Sequence, residues 1–171
     1  MGPRKKKKDQ SQKIIPLHPP VKRVIKNAQP RLQDLKKIIK ENPASLNIHL
    51  LDLLADPREN IRDFIIKFLS SQELSLPLEI LVDKLKEPPW FRKTAILKII
   101  AQRQEILLLD SLAELINDPN TAVRCQLAQT LGALALPQAL SLLSQLTKDT
   151  NPYVRRAAEK ALAKASKIRF T

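Results

Sequence analysis

The sequence predicts an all-α fold, an α-α superhelix built from stacked pairs of helices. The main observation is a strict repeat, in which Asp56, Glu87, Asp118 and Asp149 lie 31 positions apart and each precedes an apolar–Arg pair. A period of this length is typical of a stack of two-helix units, in which each unit contacts only its neighbours. The composition agrees, because 43% of the residues are hydrophobic and only two are glycine.

Each 31-residue unit divides at its acidic residue into two helices. An apolar-rich segment precedes the acid, and a turn with a proline leads into a second amphipathic segment. The prolines lie at or near the first helical turn, where the missing N–H is tolerated. They are Pro57, Pro88, Pro119 and Pro152. The acid can accept hydrogen bonds from the free N–H groups at the start of the second helix.

The second helices share an apolar stripe. Counted from Arg62, Arg92, Arg124 and Arg155, the positions −1, +3 and +7 fall on one side of a helix. These positions are Ile61, Ile65, Leu69, Phe91, Ala95, Ile99, Val123, Leu127, Leu131, Val154, Ala158 and Leu162. We expect this stripe to face the first helices and the adjoining units.

Two segments of the chain resemble a known repeat family. Residues 118–132 (DPNTAVRCQLAQTLG) and 149–163 (DTNPYVRRAAEKALA) are similar to the second-helix half of HEAT-type repeats, of the short variety found in the phycobilisome-lyase-like group. The resemblance covers residues 45–166 and implies a right-handed solenoid of about four to four-and-a-half repeats.

In that family the acid and the arginine form a ladder between successive units. The resemblance implies this structural role for Asp56, Arg62, Glu87, Arg92, Asp118, Arg124, Asp149 and Arg155. The second unit departs from the pattern, because Glu replaces Asp and lies five rather than six positions before Arg92. A charged pair that recurs in every unit favours architecture over catalysis, and partly buried pairs of this kind specify geometry.

The chain divides into a basic, proline-containing tail, residues 1–28, and a repeat domain, residues 29–171. The predicted units of the domain are 29–44, 45–74, 75–103, 104–134 and 135–168. The first is a half-repeat that caps the stack. Arg31 keeps the 31-residue spacing, and we expect residues 31–40 to form a helix.

The positive charge is concentrated at one end of the chain. Of the formal charge of +13, residues 1–40 carry +11 and residues 41–171 carry +2. The polar, proline-punctuated composition of the tail predicts disorder or loose docking. The cluster Arg4, Lys5, Lys6, Lys7 and Lys8 is typical of a segment that attracts nucleic acid or another polyanion through counterion release. A solubilising tail without a specific partner and a nuclear-import signal are the alternatives.

We expect a partner to bind on the concave face of the superhelix, which the second helices line. Outward positions on these helices lie −2, +1, +5 and +8 from the arginine. In the second unit they are Trp90, Lys93, Leu97 and Ile100, three of them large and apolar, as in a binding hot spot. The alternative is that the turn before Trp90 rotates this helix, which buries Leu97 and Ile100 and turns Lys98 outward.

The other units expose smaller or more polar side chains at the outward positions. The fourth unit offers Tyr153, Arg156 and Lys160 as further candidate contacts for a partner. The third unit presents small or neutral residues there, including Cys125 and Gly132.

The sequence predicts no catalytic, metal-binding or cofactor-binding residue. Cys125 is the single cysteine, which excludes an intrachain disulfide, and no cluster of His or acidic residues activates it. His18 and His49 do not form a metal-ligand pattern, and no nucleophile, P-loop or dinucleotide motif occurs. The apolar runs are shorter than the ~18 residues of a membrane span. We expect a monomeric, cytoplasmic protein, or a nuclear one if the source cell has a nucleus.

Three functions follow from these features. The leading hypothesis is a non-catalytic scaffold or adaptor that binds a protein on its concave face. The second is association with nucleic acid or the ribosome through the basic tail. The third is an enzyme by family analogy, a bilin lyase or a helical-repeat DNA glycosylase, although a shared fold alone does not establish an activity.

Overall fold

The predicted all-α architecture is confirmed by a computed structural model that describes residues 32–41, 47–71 and 76–169. Within these ranges the chain forms helices and no strand. Its nine α-helices are α1 (Leu32–Glu41), α2 (Asn47–Leu53), α3 (Glu59–Leu69), α4 (Leu78–Lys86), α5 (Trp90–Arg103), α6 (Leu109–Ala113), α7 (Thr121–Leu134), α8 (Pro137–Leu146) and α9 (Pro152–Arg169). The predicted tail, residues 1–28, with its basic cluster lies outside the described residues.

The second helix of every hairpin begins at a fixed distance from its acid. The starting residues of α3, α5, α7 and α9 lie three positions after the acid and 31 positions apart, at Glu59, Trp90, Thr121 and Pro152. Helices α5 and α7 also share a length of 14 residues, and each is followed by a residue with left-handed backbone, Gln104 (φ 56°) and Ala135 (φ 50°). The period of the sequence is therefore the period of the structure.

The helices form two layers. The second helices α3, α5, α7 and α9 pack side by side in one layer, and the first helices α2, α4, α6 and α8 lie in the other. Within the hairpins, α2 packs on α3, α4 on α5 and α8 on α9, and α8 also packs on α7 of the preceding hairpin. The first helix of the third hairpin is short, with 3₁₀ turns at Ile106–Leu108 and Glu114–Asn117 on either side of α6. The apolar faces of the two layers enclose the core.

Leu97 and Ile100 are fully buried in α5. The expectation that they form an exposed patch is therefore wrong, and the alternative in which both are buried is correct. Leu69 and Leu131 occupy the positions equivalent to Ile100 in the neighbouring second helices, one repeat period away on either side, and both leucines are fully buried as well. The outward positions of α5 are counted from Arg92, which lies five positions after its acid, whereas Arg62 and Arg124 lie six positions after theirs. The count is therefore shifted by one position and places Leu97 and Ile100 outward.

The residue of α5 that matches the arginines of the other units is Lys93, six positions after Glu87. Arg92 instead occupies the position that Ile61 and Val123 hold in the core of their own units. Its side chain is only 12% exposed, and its Nε atom is buried without a hydrogen-bond partner among the described residues. Arg92 is thus a charged side chain in a position that suits an apolar one.

Small residues bring α7 and α9 into close contact. Gly132 is buried, and a Cβ atom at this position would lie 2.7 Å from Cβ of Ala161, so a larger residue would force the helices apart. The expectation that Gly132 faces outward is therefore wrong. Thr130 is fully buried and donates a hydrogen bond of 3.0 Å from Oγ1 to the carbonyl oxygen of Leu97 in α5. Helices α5, α7 and α9 therefore form a closely packed platform.

Candidate functional site

Buried aspartates shape the turn that precedes three of the second helices. The Oδ1 atoms of Asp56, Asp118 and Asp149 each accept a hydrogen bond from the backbone N–H two positions later, over 2.9, 2.9 and 2.8 Å. Two of those next residues, Asn120 and Asn151, cap the helix by accepting from the N–H two positions further on, over 2.9 Å in both cases. The aspartates therefore stabilise the turn and do not cap the helix directly, in contrast to the prediction from the sequence. In the third and fourth units an asparagine caps the helix instead.

Glu87 departs from this arrangement because of the proline that follows it. The residue two positions later is Pro89, which has no N–H to donate. The Glu87 side chain is 46% exposed, and its carboxylate accepts hydrogen bonds from Nζ of Lys84 over 3.2 Å and from Arg92. Both donors belong to the hairpin of Glu87 itself, so this carboxylate does not join two repeats.

An arginine six positions after the acid ties the turn to the second helix. In three units its Nη1 atom donates a hydrogen bond to the main-chain carbonyl oxygen of the acid. The bonds are Arg62 to Asp56 (2.8 Å), Arg124 to Asp118 (2.7 Å) and Arg155 to Asp149 (2.8 Å). Among the described residues this carbonyl oxygen accepts no hydrogen bond from a helical N–H group, so the arginine supplies its donor.

Two cations at this position reach the acid of the next repeat. Nε and Nη2 of Arg124 donate to the two carboxylate oxygens of Asp149, over 2.8 and 3.1 Å. Nζ of Lys93 donates to Oδ2 of Asp118 over 2.7 Å. Both pairs join residues 25 positions apart. The ladder residue of the second unit is therefore Lys93, which corrects the assignment of that role to Arg92.

The ladder does not extend to the first unit. Arg62 lies over the ring of Phe91, with its Cζ atom 4.8 Å from the ring centroid, and makes no ion pair with Glu87 in the structure as described. Asp56 forms its ion pair within its own unit, with two hydrogen bonds of 2.8 and 2.6 Å from Arg58. The second helices of the first two units thus meet through a cation–π contact in place of the ion pair that the resemblance implied. Their first helices are joined by an ion pair of 2.9 Å between Asp52 and Lys84.

The ion pairs keep these carboxylates charged. Hydrogen bonds from Arg124 hold the pKa of Asp149 below its usual value, and hydrogen bonds from Arg58 do the same for the pKa of Asp56. Since the pKa falls on folding, each carboxylate contributes stability that is complete above the unfolded pKa of about 3.9 and is lost as the pH falls through the folded pKa. A carboxylate in this state suits a structural role and not proton transfer near neutral pH.

The exposed side of the second-helix layer carries a groove of about 700 Å³. It crosses three consecutive repeats, because α3, α5 and α7 all contribute to its lining. The lining includes the polar side chains of Asp63, Lys67, Lys98, Gln102, Gln126 and Gln129. A smaller groove of about 330 Å³ shares Gln129 and extends to α9, where Lys160 and Lys164 line it.

The remaining predicted contact residues have different environments. Trp90 is 48% exposed at the start of α5, and Tyr153 is 70% exposed near the start of α9. Arg156 and Lys160 are exposed on α9, and Lys160 lines the smaller groove. Lys93 is held in its ion pair with a side chain that is 17% exposed. The sequence did contain the signal for the groove, because its lysines recur at the period of the repeat.

The single cysteine lies in an environment that disfavours the thiolate. Cys125 is half-buried, and this burial raises the pKa of its thiol. Within the described ranges, no group of three or more His, Cys, Asp or Glu side chains is arranged to hold a metal ion.

The comparison with known families identifies the repeat. Residues 78–163, which are 86 of the 171, match the family model of HEAT repeats. The chain therefore belongs to the HEAT-repeat family, and the match does not distinguish the phycobilisome-lyase-like group. No curated protein matches the chain. None of the helices in the described part of the chain is both long and apolar enough to cross a bilayer.

The ion pair between the third and fourth units can be tested with Arg124→Met. We expect this change to lower the free energy of unfolding by about 2 kcal/mol, because it leaves the Asp149 carboxylate buried without its partner. The loss stays below the roughly 3–5 kcal/mol typical of fully buried pairs, since the side chains of Arg124 and Asp149 are 13% and 8% exposed. Chemical denaturation followed by circular dichroism measures the difference.

The matched control is Arg155→Met. Arg155 occupies the same position in the fourth unit and donates to the carbonyl oxygens of Asp149 and Thr150, over 2.8 and 3.0 Å. Its removal should cost about 1 kcal/mol. Equal losses for the two variants would show that the ion pair to the next repeat adds nothing.

Proposed function

We propose that this protein is a non-catalytic scaffold or adaptor that holds a macromolecular partner in the groove of its second-helix layer. The observation that carries the proposal is the groove, which spans three consecutive repeats. Its lysine and glutamine side chains make no hydrogen bond or ion pair with other described residues. Polar side chains that are unpaired within the fold are available for a partner.

The charged groups at the junctions support a scaffold over an enzyme. A lyase or glycosylase would need a nucleophile or a general base, whereas the carboxylates of Asp118 and Asp149 are buried and paired with cations of the preceding repeat. These groups serve the stacking of the hairpins. Stacked helical repeats of this kind form an extended surface that suits a partner.

A photo-crosslinking amino acid at position 102 tests the proposal in native cells. Gln102 is exposed and lines the groove, so we expect it to crosslink to a defined partner. Mass spectrometry identifies that partner, and purified components then reconstitute the complex. The matched control is Glu79, which is exposed on α4 in the first-helix layer. Crosslinks to the partner from position 79 and not from position 102 would contradict the proposal.

Association with nucleic acid through Arg4–Lys8 is a second candidate. The charge distribution favours it, because residues 1–40 carry +11 and residues 41–171 carry +2. Deletion of residues 1–13 should abolish binding to a labelled single-stranded RNA and flatten its salt dependence, by a slope of about 0.7 for each lost phosphate contact. Fluorescence anisotropy at several salt concentrations measures both effects. Unchanged RNA affinity after the deletion would rule out the tail as the binding element.

A further inference from the structure

We propose that the two adjoining grooves of the second-helix layer bind an extended acidic segment of a partner protein, with carboxylates about three residues apart. This inference rests on the proposed scaffold function and adds the chemistry of the partner. The residues that would recognise the carboxylates are Lys67, Lys98 and Lys160.

These lysines form a row across the layer. Lys67, Lys98, Gln129 and Lys160 lie 31 positions apart, each five positions after the cation of its own unit. Because the second helices begin at the same interval, the four side chains occupy equivalent positions on neighbouring helices. The first three line the larger groove, and Gln129 and Lys160 line the smaller one. The row therefore crosses all four second helices and is interrupted by one neutral residue.

Among the described residues, the lysines of the row are unpaired, whereas six other cations of the repeats are held in ion pairs. Lys67, Lys98 and Lys160 form no ion pair with any residue that the structure describes. In contrast, ion pairs with carboxylates engage Arg58, Lys84, Arg92, Lys93, Arg103 and Arg124. Asp63, on α3, is the one carboxylate among the described residues that line the two grooves. The row therefore has an excess of positive charge and would attract an anionic ligand.

The spacing of the helices sets the spacing of the acidic residues in the ligand. Packed helices lie about 8–10 Å apart. A chain in the extended polyproline II conformation advances about 3.1 Å per residue with three residues per turn, so every third side chain points to the same side. A segment in this conformation that crosses the layer therefore advances about three residues per helix. Carboxylates at about positions 1, 4 and 10 of the segment would meet the three lysines, with an uncharged residue near position 7 opposite Gln129.

The glutamines of the groove suit the main chain of such a segment. Gln102, Gln126 and Gln129 line the larger groove on α5 and α7. Each carboxamide can donate and accept hydrogen bonds. An extended peptide presents both N–H and C=O groups to its surroundings, so the glutamines can pair with its backbone whatever its side chains are. The lysines would then provide the selection for acidic residues.

The lining favours a peptide over a nucleic acid. Single-stranded nucleic acid is held largely by stacking of its bases on aromatic side chains, and the described residues that line the two grooves include no aromatic residue. Proteins that bind a duplex through its phosphates make about 6–10 such contacts. The two grooves offer four lysines, namely Lys67, Lys98, Lys160 and Lys164.

Fluorescence anisotropy with the 171-residue chain tests the inference. One labelled 12-residue peptide carries Glu at positions 1, 4 and 10 and Gln at position 7, and a second carries Gln at all four. We expect the acidic peptide, which can form three carboxylate–lysine pairs, to bind about thirtyfold more tightly than the neutral one. The variant Lys67→Gln/Lys98→Gln should lose about tenfold in affinity for the acidic peptide, since each exposed pair contributes a factor of about three to five.

The matched control is Lys86→Gln/Lys148→Gln. It removes the same charge from exposed lysines that do not line these two grooves. Its affinity for the acidic peptide should change less than about twofold. This comparison separates binding in the groove from attraction to the basic tail, which both variants retain. Circular dichroism verifies that both are folded.

Three results would overturn the inference. The first is an equal loss of affinity in the two variants, and the second is groove-dependent binding of a labelled 12-nucleotide RNA in preference to the acidic peptide. The third is a partner that crosslinks to position 102 through a segment without acidic residues, in which case the scaffold proposal would stand.

Discussion

The stacking of the last three repeats depends on two cations, each placed six positions after the acid of its own repeat. From this position Lys93 and Arg124 reach the buried carboxylates of Asp118 and Asp149 in the next hairpin. Each pair joins residues 25 positions apart and so fixes the position of the turn that contains the aspartate. The second helix of that repeat begins three positions after the aspartate. A carboxylate with only 3% or 8% of its side chain exposed has little water to replace a lost partner. The ion pairs therefore specify the register, while apolar burial along α5, α7 and α9 provides most of the stability.

The groove is a consequence of the same register. Because the second helices begin at a constant interval, side chains at the same distance from the helix start align across the layer. The core positions face one side of the layer and the groove positions face the other. Leu97 and Lys98 are neighbours in α5, yet the first is fully buried and the second lines the groove. A repeat fold can thus present a regular row of unpaired lysines without a loop shaped for a ligand. Such a surface suits an extended partner, since every repeat adds one more contact in the same line.

The fold class, the length of the unit and the helix near residues 31–40 could be predicted, because periodicity and apolar spacing are properties of the chain alone. A count of six positions from each acid selects Lys93 and places Ile100 in the core stripe, so the sequence alone could also have predicted this register. Other features depend on contacts between elements. Glu87 turns to its own hairpin because a proline follows where an N–H is needed, and Gly132 is buried because α9 approaches α7 at that point. Helical spacing alone does not show either contact.

A double-mutant cycle between Lys93 and Asp118 tests the central claim most directly. Lys93→Met and Asp118→Asn, alone and together, are compared by chemical denaturation, and Asp118→Asn keeps the oxygen that accepts from the N–H of Asn120. The register predicts a coupling free energy of about 1 kcal/mol or more for this pair. A parallel cycle between Arg92→Met and Asp118→Asn should give a coupling within about 0.5 kcal/mol of zero. Coupling of Asp118 to Arg92 and not to Lys93 would contradict the account.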